Sequence, residues 1–328
     1  MIPELTIDEP FTLDPCGSWP ETQHVFDEDS VYAIRMALAA ERPLLLRGDP
    51  GTGKSQLARA AAQKLGRIFI SEVVHSRTEP QDLQWRMDAI SRLGKAQMLG
   101  QSGTKYQDEL PKDITDPLDP RLFLNPGVLW WVFGWQSAFT QHGYSCHKSY
   151  LPEAPPEWDA SKGAVLLIDE IDKADADLPN SLLETLGNRA FHIPWLGETI
   201  RQQQGDALPL VIITTNEERE LPAAFVRRCL VMEMNLPDKQ DDVFVNWLYK
   251  RGRVHFKDPQ TCPDSVLKDA AKLLIEDRKE AGRQGFKKPG QAEYLDLVKA
   301  VTTLEKTEKK QRDLLQKVSH FAFKKHRQ

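Results

Sequence analysis

The residues Gly48-Asp49-Pro50-Gly51-Thr52-Gly53-Lys54-Ser55 follow the spacing G-x-x-x-x-G-K-[ST]. Glycines in this pattern let backbone N–H groups curl around a phosphate, and a following helix adds the partial positive charge of its N-terminus. Lys54 is placed to reach terminal phosphates and Ser55 to ligate Mg²⁺, with Gln56 next in line counted in the same binding set. A second stretch, Val165-Leu166-Leu167-Ile168-Asp169-Glu170, is an apolar run closed by two carboxylates. Asp169 suits a Mg²⁺ shell and Glu170 suits polarising an attacking water. Asn216 ends a third apolar run, Leu210–Thr215, where it could orient that water. Arg227 and Arg228 close a short segment before the last apolar run. Paired arginines there either donate to a phosphoryl group from a neighbouring subunit or answer the negative end of a helix. Together these residues point to nucleoside-triphosphate hydrolysis.

Such chemistry needs strands that end at one edge and helices that begin there. Leu44–Leu46 reads as a buried parallel strand, Lys54–Leu65 as a helix and Ile68–Ile70 as a second strand. Strand Ala164–Ile168, a helix near Leu178–Leu186, a hairpin Phe191–Ile200 and strands Leu210–Thr214 and Leu230–Met234 follow. Strand–helix alternation of this kind implies an α/β fold, a parallel sheet between helices. A helical pattern from Asp29 carries Val31, Ile34 and Leu38 and stops before Pro43, and residues 1–28 read as an extended acidic arm. Thr78 to Met98 reads as one long amphipathic segment, with Leu83, Met87, Ile90 and Leu93 at helical spacing. Residues 99–162, rich in proline and holding Trp130, Trp131, Trp135 and Trp158, read as an insert, because ordinary connections are about 4–6 residues. The core would thus span 29–236, and 237–328 would form a small all-helical lid.

Composition narrows the classes. A chain of 328 residues holds one large domain or two unequal ones. Its formal net charge of −5 argues against a dedicated nucleic-acid coat. No apolar run approaches the ~20 residues that span a bilayer, and the acidic N-terminus lacks a secretory pattern. Cys16, Cys146, Cys229 and Cys262 show no CxxC spacing, which suits reduced thiols and a cytoplasmic chain. His142, Cys146 and His147 share one loop, but adjacent side chains rarely converge on a metal. The lysines after Thr307 (Lys309, Lys310, Lys317, Lys324 and Lys325, with Arg327) read as the solvated face of a lid helix.

The phosphate loop, the LLIDE run, the TTN tip and PAAFVRRC, in this order, resemble an AAA+ ATPase. Within that class, SRTEPQDLQWRMDAISRL, FLNPGVLWW, IDKADADLPNSLLETLGNRAFHIPWLG and KKPGQAEYLDLV resemble the MoxR group, so the likeness covers residues 29–328. The resemblance implies ATP and Mg²⁺ as ligands, Asn216 as the first sensor, and Arg228, with Arg227 second, as a finger acting on the next protomer. It implies a hexameric homo-oligomer that remodels or activates a partner protein, for which a von Willebrand factor A domain is the family's common form. Some MoxR-like proteins also resemble parts of bacterial defence loci. Leu122–Trp135 and the Phe191–Ile200 hairpin would then face a central pore, where tryptophans would grip a partner; the alternative is that they fill a core. MoxR-like lids usually carry Ser-Pro-Arg as a sensor, and here Lys287-Lys288-Pro289-Gly290-Gln291 offers only Lys288 as substitute. Two other classes remain open: a nucleotide-gated scaffold with little turnover, and a nucleic-acid-directed motor, which would need cations where the insert tip is aromatic.

Overall fold

In the computed structural model, described for residues 5–101, 110–236 and 241–323, the chain opens with a hairpin of β1 (Phe11–Leu13) and β2 (Thr22–His24). This differs from the extended arm read from the sequence. Leu5, Leu13 and Phe26 are buried, and the Arg59 guanidinium, itself buried, donates to the carbonyls of Leu13, Asp14 and Pro20. Three backbone acceptors on one cation tie the segment down, a pairing invisible in a local window.

Helix α1 (Glu28–Ala40) starts in a capping box, with Asp27 Oδ1 accepting from Ser30 N at 2.9 Å. It leads to β3 (Leu44–Arg47), α2 (Lys54–Leu65) and β4 (Ile68–Val73). The segment read as one long helix from Thr78 to Met98 is broken into a 3₁₀ turn at Pro80–Leu83, strand β5 (Trp85–Met87) and helix α3 (Ala89–Gln101). Helical spacing misled here because Leu83 of the 3₁₀ turn and Trp85 of β5 are both buried in the core beside the sheet, whereas Ile90 and Leu93 are exposed.

Strand β6 (Leu124–Pro126) pairs antiparallel with β5, and α4 (Val128–Phe133) and α5 (Trp135–Tyr144) follow. These residues, read from the sequence as an insert, pack against the sheet. Trp130 and Trp131 are buried in the same apolar cluster as Ile68, Leu166 and Ile168 of the sheet. Trp135 packs edge-on to Trp158 at 4.7 Å, and the indole N–H groups of Trp130 and Trp158 donate to Ser137 Oγ and Gly163 O. The tryptophans fill a core, the second of the two readings the sequence left open for them.

The remaining core elements are β7 (Ala164–Asp169), α6 (Asp177–Asn188), the hairpin of β8 (Ala190–Ile193) and β9 (Glu198–Arg201), β10 (Leu210–Thr214), α7 (Ala223–Arg228) and β11 (Leu230–Glu233). The main sheet runs β11-β3-β10-β7-β4, with every pairing parallel. Leu44, Leu45, Leu46 and Val165–Ile168 are buried on both faces, as a sheet covered twice requires, at about 1.5–3 kcal/mol for each large side chain. Helices α8 (Asp241–His255), α9 (Asp264–Gln284), α10 (Gln291–Leu304) and α11 (Glu308–Phe323) share a separate core around Leu248, Leu267, Leu274, Tyr294 and Val298. Lys309, Lys310 and Lys317 are exposed on α11, as expected of a solvated face; Lys324, Lys325 and Arg327 lie outside the described residues. Among the described residues no helix is long and apolar enough to cross a membrane.

Candidate active site

Because β3 lies inside the sheet, between β11 and β10, consecutive elements leave it in opposite directions, and a crevice opens at the carboxyl ends of the strands. A cleft of about 550 Å³ lies there, within the usual range for small-molecule sites. One wall is the loop from Pro50 to Ser55 with Gln56; others are the first hairpin, the tip of β11, and α8 and α10 of the helical region.

The loop conformation is set by its glycines. Gly48 sits at φ 133°, and a Cβ there would lie 2.5 Å from the Met234 carbonyl oxygen, so a side chain is excluded twice over. Lys54 starts α2 and is buried, its Nζ donating to Gly48 O at 2.7 Å and Asp49 O at 2.9 Å. Burial lowers its pKa, opposed by the carboxylates of Asp169, Asp49, Asp172 and Glu170.

The carboxylates stand where β7 ends. Ser55 Oγ donates to Asp169, 3.0 Å from Oδ1 and 2.9 Å from Oδ2. Thr214 Oγ1 donates to Asp169 Oδ1 at 2.5 Å and accepts from Glu170 N at 2.9 Å. Glu170 takes left-handed backbone angles, φ 59° and ψ 48°. Asn216 Nδ2 donates to its Oε1 at 2.9 Å. Asp172, buried just beyond, accepts from Asn216 N at 3.4 Å and Glu218 N at 2.9 Å, fixing the loop that carries the asparagine. Lys54, Ser55, Asp169, Glu170 and Asn216, spread over more than 160 residues of sequence (54 to 216), therefore line one cleft.

Ser55 and Asp169 present hard oxygens to one another, the donor chemistry that Mg²⁺ takes beside a phosphate. Among the described residues no cluster of three or more His, Cys, Asp or Glu could hold a metal; one carboxylate with one hydroxyl does not need such a cluster when phosphate oxygens complete the shell. His142 and His147 contact Ser149 O and Asp88 separately.

Two expectations fall differently. Lys288 does not line the cleft: it is exposed and lies against Gly282 on α9. Its neighbour Lys287 reaches across instead, its Nζ donating to Glu218 Oε1 at 2.9 Å, while Lys173 donates to Oε2 at 2.5 Å. Hydrogen bonds from Lys173 and then Lys287 hold the Glu218 carboxyl down at about 2. Arg227 and Arg228 are exposed and outside this chain's own cleft. Their carbonyls accept from Arg42, which also donates to Cys229 O at 3.2 Å. Sequence reading missed Arg42, and also the hairpin and α8 residues His24, Arg251 and Trp247, because nothing local links positions so far apart.

The model of the AAA domain, dynein-related subfamily, matches residues 43–251. No curated protein matches the chain. Among solved structures, a candidate ATPase from Cytophaga hutchinsonii ATCC 33406 is similar at 13% identity and a TM-score of 0.38, over 89% of this chain and 78% of its own.

Proposed function

The chain belongs to the AAA family, in its dynein-related subfamily, and from that premise we propose that it is a MoxR-type ATPase working as an oligomeric, hexameric ring on a partner protein. The observation that carries the hydrolytic part is the linked set Ser55–Asp169–Thr214 and Glu170–Asn216 at one edge of the cleft. Lys54 and the loop amides bind the β- and γ-phosphates. Glu170, oriented by Asn216, takes the proton of the attacking water. Ser55 and Asp169 would hold Mg²⁺, which when bound neutralises phosphate charge. Arg228, with Arg227 behind it, is the finger offered to a neighbouring protomer's cleft, and its exposure suits that role. The ring, the remodelling role and a partner of the von Willebrand factor A type rest on the MoxR resemblance.

Two variants test the reading in an equilibrium titration and a phosphate-release assay. Lys54→Ala should weaken ATP binding at least tenfold. Glu170→Gln should keep ATP affinity while turnover falls by about 10²–10³, the scale of losing a catalytic base. Wild-type affinity in the first, or wild-type turnover in the second, removes the role assigned to that residue. Turnover against protein concentration, with light scattering on the same samples, tests shared active sites: specific activity should rise as a hexamer-sized particle forms.

A further inference from the structure

The loop that carries Asn216 leaves the sheet after β10 without regular structure of its own, and Glu217 in it takes a left-handed φ of 55°. It is laced to the 3₁₀ turn Ile171–Lys173, which follows Glu170 directly. Asp172 accepts from Asn216 N and Glu218 N, and Lys173 Nζ donates to Glu218 Oε2 at 2.5 Å. The other oxygen of that carboxylate, Oε1, accepts from Lys287 Nζ at 2.9 Å, and Lys287 belongs to the helical region, 69 residues further on. One carboxylate thus joins two ammoniums from two parts of the chain, and its bonds to both hold its pKa at about 2. Lys287 lies in the short connection between α9 and α10, and the far end of that connection rests on the glycine-rich loop. Arg278 of α9 donates to Pro289 O at 2.5 Å, a Cβ on Gly290 would lie 2.8 Å from Pro50 O, and Ala292 N donates to Gly51 O at 3.2 Å. Residues 287–292 therefore reach from the loop that carries Asn216 to the Gly48–Ser55 loop, tied at both ends.

We propose that Lys287 is a positioning residue for hydrolysis, holding Asn216 at Glu170 through Glu218 while residues 287–292 sit on the Gly48–Ser55 loop. This rests on the ATPase reading above and deepens it. Lys287 does not line the cleft, so it acts on the carboxylate and not on the nucleotide. Lys173, Glu218 and Lys287 are all partly exposed, and an ion pair in that setting adds little to stability. Its weight falls on the placement of a loop that already carries a strained residue, and rate is far more sensitive to placement than stability is. A group displaced by about 1 Å can lose ~10² in rate. The bond from Lys287 is a single charge-assisted one with no fork geometry, so arginine serves there and a neutral chain of similar length does not.

The test is phosphate release against ATP concentration, which separates kcat from KM, on the full chain at a protein concentration where specific activity has levelled off. Lys287→Met should lower kcat about fivefold, the scale of one exposed ion pair, with KM and ADP affinity within about twofold of wild type. Lys287→Arg should keep kcat within about twofold of wild type, because it keeps the charge. Glu218→Gln should fall at least as far as Lys287→Met, since it releases Lys173 as well, and Lys287→Met added to it should cost nothing more. Thermal melts of all four variants should stay cooperative, with midpoints close to wild type. Wild-type kcat in Lys287→Met overturns the proposal. So do losses that multiply in the double variant, or a fall in ADP affinity, which would make Lys287 a nucleotide contact. A wild-type chain that releases no phosphate overturns the ATPase reading and this role with it, whereas turnover that Lys287→Met leaves intact overturns this role alone.

Discussion

Glu170 sits at φ 59°, a conformation that costs a residue with a side chain roughly 1–3 kcal/mol. The bond from its N–H to Thr214 Oγ1 and the one from Asn216 to its carboxylate offset that cost and aim the side chain along the cleft edge. Strain held by surrounding bonds is common where a group must point at substrate rather than pack. His24 provides a second residue-scale consequence. Its folded pKa near 3 lies below the ordinary 6.5, so between those values the unfolded chain binds a proton that the folded chain refuses. Stability therefore rises with pH across that window, by up to about 1.4 kcal/mol per pH unit for this one group. His255, also lowered by burial and Arg251, adds in the same sense. Thermal melts should show Tm falling as pH drops from 7 to 5, with a shallower slope in His24→Phe; an unchanged slope would mean that His24 titrates normally.

Helix α7 has only six residues, too short to hold its own position by backbone bonds alone. Arg42, just past α1, grips the carbonyls of Arg227, Arg228 and Cys229 at its carboxyl end, where a cation also meets the helix dipole. Arg42→Ala should lower stability by about 1 kcal/mol. If Arg228 serves a neighbouring cleft, turnover should fall at least fivefold at a temperature where the variant remains folded. Turnover at the wild-type level beside a lowered Tm would limit Arg42 to stability. Much at this scale is legible in sequence: Lys54–Leu65 and Leu210–Thr214 begin and end where their patterns do. The helical spacing of Leu83, Met87, Ile90 and Leu93 is not, because β5 is a short strand whose identity depends on β6, beginning 37 residues after it ends (87 to 124).

Across the whole molecule the helical region touches the catalytic core at three places that matter. Ala292 N donates to Gly51 O at 3.2 Å on the phosphate loop, and a Cβ on Gly51, itself at φ 75°, would lie 3.0 Å from the Ala292 Cβ. Lys287 meets Glu218 beside Asn216, and Arg251 meets Val25 just after the first hairpin. A shift of these helices therefore moves the Gly48–Ser55 loop, the loop that carries Asn216 and the residues after the first hairpin together. Assembly adds a further scale. Arg228→Ala alone should hydrolyse ATP poorly, and so should Glu170→Gln. Mixed, they should recover turnover, since the second supplies arginines to intact glutamates of the first. Absence of recovery at every mixing ratio argues against a finger acting between protomers.

The sequence by itself determined where the glycine-rich loop and the strand-end carboxylates stand. Gly48 to Ser55 is contiguous, its function depends on backbone N–H groups and one helix start, and such a motif carries its geometry within its own spacing. Asp169, Glu170 and Asn216 were legible for a similar reason: each ends an apolar run, and parallel strands in one sheet end on one edge. Tertiary structure alone decided the rest. It docked residues 11–24 against α2, decided that Trp130 and Trp131 fill the core, placed Lys287 rather than Lys288 against Glu218, and set Gln23, His24 and Gln56 around one cavity. Those outcomes depend on which side chains from distant segments share a buried space, and burial is a property of the packed chain that no local spacing encodes.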